Sequence, residues 1–208
     1  MRLPVLTAAL AVAAALGACG RQPLDPLDAT PGGPGAVTRE VDFSAAGVTG
    51  KIPRRTQATP ERAPGVFRIS LGAGFVSCFA YRRSEPIPKG RQELAAARRR
   101  LVREVGRRGR RFDVQESRTL KIAGSDAVEI KGTQTISRQR LKTRSVHVFK
   151  GRAEYVFELL QPPSSYTQLE RSVFDPMLVS LKLTGRVQES TADEARRQIE
   201  KAVEPKGP

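Results

Sequence analysis

From Leu120 to Leu160 the chain repeats one pattern: short runs of alternating apolar and polar residues broken by glycine turns. Leu120 and Ile122 alternate with Lys121, and Ala123-Gly124-Ser125-Asp126 makes a turn. Val128 and Ile130 alternate with Glu129 and Lys131, and the polar stretch Arg138 to Lys142 reads as a hairpin tip. Thr143 to Phe149 is a further strand, and Lys150-Gly151-Arg152 turns the chain again. Glu154 to Leu160 then sets Tyr155, Phe157 and Leu159 on one side. A period of two is the strand period, and turns this short join strands that run in opposite directions. The stretch therefore predicts consecutive antiparallel hairpins.

The flanking sequence completes the pattern. Val66 to Leu71 alternates, with Phe67, Ile69 and Leu71 on one side, and Gly72-Ala73-Gly74 turns into a second strand, Phe75 to Arg82. That strand carries Phe75, Phe79 and Tyr81 on one face and Val76, Cys78 and Ala80 on the other, as a strand buried on both sides would. Glu85-Pro86-Ile87-Pro88 ends it. Gln92 to Arg107 has helical periodicity: Leu94, Ala97, Leu101 and Val105 form one stripe and Arg99, Arg100, Arg103 and Arg107 the opposite side. Pro162-Pro163-Ser164-Ser165 starts a second helix through Tyr166, Leu169, Val173 and Phe174. Pro176 marks a break, and Met177 to Leu183 closes the domain as a last strand. The order is β-β-α-β-β-β-β-α-β. The fold class is α+β, an antiparallel β-sheet flanked by helices.

The N-terminus reads differently. Met1-Arg2 is followed by an almost wholly apolar run to Leu16, and Leu16-Gly17-Ala18-Cys19 closes it. The run is shorter than the roughly 20 residues of a comfortable membrane span. It has the form of a signal peptide that is removed. The closing residues resemble the lipobox of bacterial lipoproteins. That resemblance implies cleavage between Ala18 and Cys19 and lipidation of Cys19, and so a place on the extracytoplasmic face of a bacterial membrane. An ordinary secretory leader or an uncleaved anchor are the alternatives. Asp, the usual inner-membrane retention signal, does not follow Cys19; Gly20 does. The division expected is 1–18 lipoprotein signal peptide, 19–64 lipidated cysteine and Pro/Gly-rich linker, 65–185 α+β domain, and 186–208 C-terminal tail. Within the linker, Val41-Asp42-Phe43 has the alternation of one short strand, and Lys51 to Pro64 reads as an irregular approach to the domain. In the tail Thr191 and Glu194 have capping-box spacing for a short helix.

Several segments together resemble the PsbP-like superfamily. They are Ile122-Ala123-Gly124-Ser125-Asp126-Ala127, Lys150-Gly151-Arg152-Ala153-Glu154-Tyr155-Val156-Phe157, the Tyr166-led helix, and the run Phe174, Met177-Leu178, Ser180-Leu181. That group includes extrinsic photosystem subunits, a Ran-binding import factor and many bacterial lipoproteins. The resemblance covers about Gly65 to Gly185. It implies an antiparallel sheet covered by helices. The matching residues are packing and turn residues, and none is catalytic. The absence of Trp departs from most such domains.

Charge bounds the partners. The formal net charge is +15 and the pI about 10.8, with 27 Arg against 9 Lys. Arg, Ala, Gly and Pro share GC-rich codons, so genome composition accounts for part of this. An exported chain with few aromatics and no recognised nucleic-acid motif is not expected to bind nucleic acid. Arg99, Arg100, Arg103 and Arg107 with Arg108, Arg110 and Arg111 form the strongest positive spot. Three readings follow: a solvated outer face, contact with an anionic membrane, or contact with an acidic envelope protein or polymer. One His and two Cys cannot build a conventional zinc site, so no metal or cofactor is expected. Gly47-Val48-Thr49-Gly50-Lys51 lacks the spacing of a phosphate loop. Cys78 and His147 are the available nucleophile-base pair. The function expected is a lipid-anchored, non-catalytic binding or scaffold module, monomeric as a domain. The alternatives are a carrier or chaperone for an amphiphile or hydrophobic segment and, more remotely, a Cys-dependent enzyme.

Overall fold

The computed structural model describes residues 38–108 and 112–187. The signal peptide, Ala18, Cys19, the linker as far as residue 37, Arg110, Arg111 and the tail from residue 188 lie outside the described residues.

Ten strands occupy the described chain: β1 (Thr38–Phe43), β2 (Val48–Pro53), β3 (Ala58–Pro60), β4 (Gly65–Leu71), β5 (Gly74–Arg82), β6 (Phe112–Ile122), β7 (Ser125–Ile136), β8 (Gln139–Lys150), β9 (Ala153–Gln161) and β10 (Lys182–Leu183). The helices are α1 (Gly90–Arg108), α2 (Pro163–Leu169) and α3 (Asp175–Ser180), the last two joined by a π-turn, Glu170–Phe174. Seven strands form one antiparallel sheet in the order β3-β4-β5-β9-β8-β7-β6, and β1-β2-β10 form a second, smaller one.

The order follows from the connections. β5 lies mid-sheet and β6 at the far edge, so the intervening chain has to cross the sheet, and α1 carries it across. Three tight hairpins then fold back from β6 until β9 reaches β5. The β6–β7 turn places Ala123 and Gly124 at positive φ, 48° and 71°, the geometry of a two-residue turn matched to strand twist. Opposite a bulge between Val114 and Glu116, a Cβ on Gly132 would sit 2.2 Å from the Asp113 carbonyl oxygen, so only glycine fits there.

The sheet buries both faces against different partners. On one face Val76, Cys78, Ala80, Val146, Tyr155, Phe157 and Leu159 pack beneath α2, the π-turn, α3 and the small sheet. On the other, Leu94, Ala97 and Leu101 of α1 close over Val128, Ile130 and Phe149. β5 is buried mainly through Val76, Cys78 and Ala80, whereas Tyr81 is 42% exposed.

The hairpins from β6 to β9 and both helices lie where the sequence sets them, with three corrections. First, the domain does not start near Gly65. β1 to β3 belong to it, and Val48 and Ile52 are fully buried in the main core. Val41-Asp42-Phe43 does lie in a strand, β1, but β2 and β3 are short and flanked by Pro and Gly, and β2 finds its partner β10 far along the chain, so local pattern hides those two. Second, Met177 to Ser180 is helical, and only Lys182–Leu183 is strand. Pro176 does not break the helix, because it sits in the first turn of α3, where its missing N–H is not required. The preceding π-turn carries the chain into it, with the Asp175 N–H bonded to the Glu170 carbonyl. Third, the β7–β8 tip is Ser137-Arg138, both at positive φ, and β8 already begins at Gln139.

Ile52 separates the two domain boundaries. Ile52→Ala should cost about 2–5 kcal/mol, as for a buried aliphatic truncated in a packed core. Urea denaturation followed by circular dichroism measures it, and a change under 0.5 kcal/mol would return residues 38–60 to the status of a linker.

Candidate functional site

α1 sorts the arginines that the sequence groups together. Its N-terminus is fixed by Glu93, whose carboxylate accepts the Lys89 N–H at 2.7 Å. Its flank is pinned to β6 by Arg98, which donates to the Ser117 carbonyl at 3.1 Å. With Leu94, Ala97 and Leu101 buried, Arg99, Arg103 and Arg107 project outward at spacing i, i+4, i+8 and are exposed. None of the three forms a hydrogen bond or ion pair among the described residues. Arg100 is different: it bonds Glu85 at 3.1 Å and faces Glu104 at 3.9 Å. Arg108 is the last residue of α1. The structure therefore brings three of the seven basic residues into one free stripe.

Beside α1 the β5–α1 connection holds a second charged group. Arg83 pairs with Glu154 and, at 3.1 Å, with Glu85, while its guanidinium stacks over Phe149. His147 Nδ1 meets the other Glu154 oxygen at 2.8 Å. Burial pushes the Glu154 carboxyl up, but the bonds and charges of His147 and Arg83 outweigh it and hold the group below its ordinary value. Its neighbour on β9, Glu158, has only the charge of His147 against burial and is raised.

Cys78 and His147 do not meet. Cys78 pairs across the sheet with Phe157 and then Val146, so its neighbour on β8 is Val146, and His147 projects from the opposite face. The thiol is fully buried in the core, and burial raises its pKa, the reverse of what a nucleophile needs. The Cys-His pair that the sequence offers is not assembled.

A second ionic group escaped the sequence reading. Arg144, 5% exposed, donates to Glu129 at 2.6 Å, Glu170 at 3.0 Å and Asp175 at 2.6 Å. Arg118 reaches Glu129 at 2.7 Å, and Lys131 reaches Glu170 at 3.0 Å. Arg144 also lies over the Phe174 ring at 5.2 Å. Burial works against the Arg144 charge, but Glu129 and Asp175 more than restore it, and the guanidinium stays above its ordinary pKa. Burial likewise raises Glu170, and Lys131 and Arg144 bring it below its ordinary value. The network ties β7 and β8 to the α2–α3 unit. The available signal was Glu129 and Arg144 standing at positions whose same-face neighbours, Ala127 and Val146, are apolar. Among the described residues no cluster of His, Cys, Asp and Glu suits a metal ion, and no helix is long and apolar enough to cross a membrane.

Comparison with known proteins places the fold. No protein-family model matches the chain, and no curated protein matches its sequence. Among solved structures, cyanobacterial PsbP (CyanoP) from Synechocystis sp. PCC 6803 is similar with a TM-score of 0.54 and 12% identity, over 76% of this chain and 99% of that one. LpqN, involved in cell envelope biogenesis of Mycobacterium tuberculosis, is similar with a TM-score of 0.52 and 11% identity, over 72% of this chain and 87% of that one. The PsbP-like resemblance of the sequence is therefore present in the three-dimensional fold. At these identities the likeness is one of fold, and a shared fold does not transfer a function.

The two ionic groups predict distinct stability effects. Arg144→Ala should destabilise by about 3–5 kcal/mol, since it leaves Glu129 buried beside an empty position, whereas Arg118→Ala, half exposed, should cost under about 1 kcal/mol. Urea denaturation of both variants checks the contrast. Glu154 and Glu170 bind protons less readily folded than unfolded. Their stabilisation is present above the ordinary carboxyl value of 4.5 and is lost as pH falls through their lower folded values. Glu158, raised, works in the opposite sense and is relieved by acid. Thermal melts from pH 7 to pH 3 should show Tm falling below about pH 4.5, and Glu170→Gln should flatten that fall.

Proposed function

We propose that this chain is a lipid-anchored, non-catalytic module on the extracytoplasmic face of a bacterial membrane, and that the outer face of α1 contacts a surface of closely spaced negative charge. The observation that carries the reading is the arginine stripe. Arg83, Arg98, Arg100, Arg118 and Arg144 all have partners within the domain, whereas Arg99, Arg103 and Arg107 have none among the described residues and lie in one line. Guanidiniums at this spacing repel one another, so the stripe gains most from an external counter-charge. Near an anionic surface each contributes about 1 kcal/mol, and three together about 3 kcal/mol, roughly a hundredfold in affinity.

The leader and the Leu16-Gly17-Ala18-Cys19 sequence support the anchor, and a cell-envelope protein among the structures of similar fold supports the location. Two grooves that border α1 mix charged side chains with proline, alanine and glycine, and the charged groups favour a polar ligand there. The buried Cys78, on the face opposite His147, supports a role without covalent catalysis.

Two measurements test this. Metabolic labelling with palmitate should mark the wild-type chain and not Cys19→Ser. Unlabelled wild type recovered from cytosol at full length would overturn the anchor. Arg99→Glu, Arg103→Glu and Arg107→Glu together should lower binding to phosphatidylglycerol vesicles or to an acidic polymer column by about a hundredfold or more. Their circular dichroism should be unchanged. Undiminished binding to both would reduce the stripe to solvated surface.

A further inference from the structure

We infer that the groove between α1 and the β5–α1 connection is a receptor site for a carboxylate of an acidic peptide segment, held in the free protein by the chain's own Glu85. The inference deepens the reading above and rests on it: it names where on the basic side of α1 an acidic partner is gripped, and by which groups.

The groove encloses about 340 Å³ and is lined by Arg83, Arg100 and Arg103 on the basic side and by Glu85 and Glu93 on the acidic side. Glu93 is committed elsewhere, since its carboxylate caps the Lys89 N–H. Glu85 is not. Its side chain is 64% exposed, yet one of its oxygens sits 3.1 Å from both Arg83 Nη2 and Arg100 Nη1. One carboxylate oxygen thus takes a charge-assisted hydrogen bond from each of two guanidiniums. The two guanidiniums are held differently. Arg83 is set in place: its side chain is 12% exposed, Glu154 holds it from below, Phe149 stacks under it, and its Nε is a buried donor with no partner among the described residues. Arg100 and Arg103 stand at the rim, Arg100 at 40% exposure. Arg83 at the base, Arg100 at the rim and Arg103, which has no ion pair among the described residues, line one cleft in which Glu85 is the carboxylate that Arg83 and Arg100 share.

Glu85 is also weakly held. An exposed ion pair is worth about 0.2–1 kcal/mol, so an external carboxylate displaces it at small cost. The residue now in the groove is a glutamate at a bend, between Ser84 and Pro86, and it shows which ligand the cleft accommodates: a carboxylate on a non-helical peptide segment. Arg103 belongs to both the groove and the outer stripe. An acidic segment seated in the groove can therefore continue along Arg99, Arg103 and Arg107.

Fluorescence anisotropy of a labelled oligoglutamate peptide titrated with the full chain tests the inference. Glu85→Gln should bind roughly two- to fivefold tighter, the worth of the displaced pair. Glu40→Gln, exposed on β1 and identical in its effect on net charge, should leave affinity within about 1.5-fold of wild type, since it touches no pair in the groove. Arg100→Ala should weaken binding about tenfold, as for the loss of a charged hydrogen bond. Equal affinities for Glu85→Gln and Glu40→Gln would overturn the inference. Should Arg99→Glu with Arg107→Glu weaken binding while Glu85→Gln and Arg100→Ala leave it unchanged, the groove falls and the stripe stands. If neither pair of variants changes peptide binding, both fall. A parallel titration with phosphatidylglycerol vesicles separates the sources: a Glu85→Gln gain seen with vesicles and not with peptide would overturn the peptide occupant in favour of a lipid head group.

Discussion

The pairing of β5 with β9 is the constraint on which the rest depends. It joins residues 75–82 to residues 153–160 in unbroken register, from Phe75 opposite Leu160 to Arg82 opposite Ala153. Everything between them has to fit inside the loop that this pairing closes. α1 therefore crosses one face, and the hairpins β6 to β9 have to fold back by the width of four strands. Loop closure over such a separation costs entropy that only the buried interior can offset. The interior sits at this junction: Cys78 opposite Phe157, and Ala80 opposite Tyr155, are buried beneath the α2–α3 unit. The Tyr155 hydroxyl accepts the Gly185 N–H at 3.1 Å and thereby fastens the end of the described chain to the same strand.

A sheet covered on both faces has two kinds of place for a charge, and arginine occupies both. Arg144 lies on the face under the α2–α3 unit, where water is excluded, and it is satisfied by three carboxylates and an aromatic ring. Arg99, Arg103 and Arg107 stand on the outer side of the helix that covers the other face. The first kind of arginine acts as a tie within the fold. The second has no ion pair among the described residues. Net charge makes no distinction between them; burial does. The groove at Arg83 and Arg100 lies between the two extremes, with one guanidinium set in the domain and its neighbour at the rim.

The hairpins were legible because both signals are local. Strand alternation shows in a handful of residues, and Gly124 and Gly151 sit where the chain reverses. α1 was legible for the same reason, and of the arginines expected on its outer side Arg99, Arg103 and Arg107 are exposed while Arg100 turns to Glu85. β2 and β3 were not. Val48 and Ile52 are core residues in a stretch that composition describes as linker, and what buries them is residues 177–183 from the far end of the chain. Met177 to Leu183 shows the converse: a run of apolar residues fits helix or strand equally, and contacts with the sheet chose helix. The pairing of Glu85 with Arg83 and Arg100 joins the β5–α1 connection to the middle of α1, and no spacing in the chain announces it.

By itself the chain determined its hairpins, its amphipathic helix and its excess of positive charge, because each of these is written within a few neighbouring residues. Tertiary structure decided that residues 48–53 belong to the core, which charges are paired inside the domain and which stand at its surface. It also set Cys78 and His147 on opposite faces of the sheet. Those outcomes depend on which residues meet across a sheet joined by contacts distant in sequence, and burial and hydrogen-bond satisfaction are properties of that meeting.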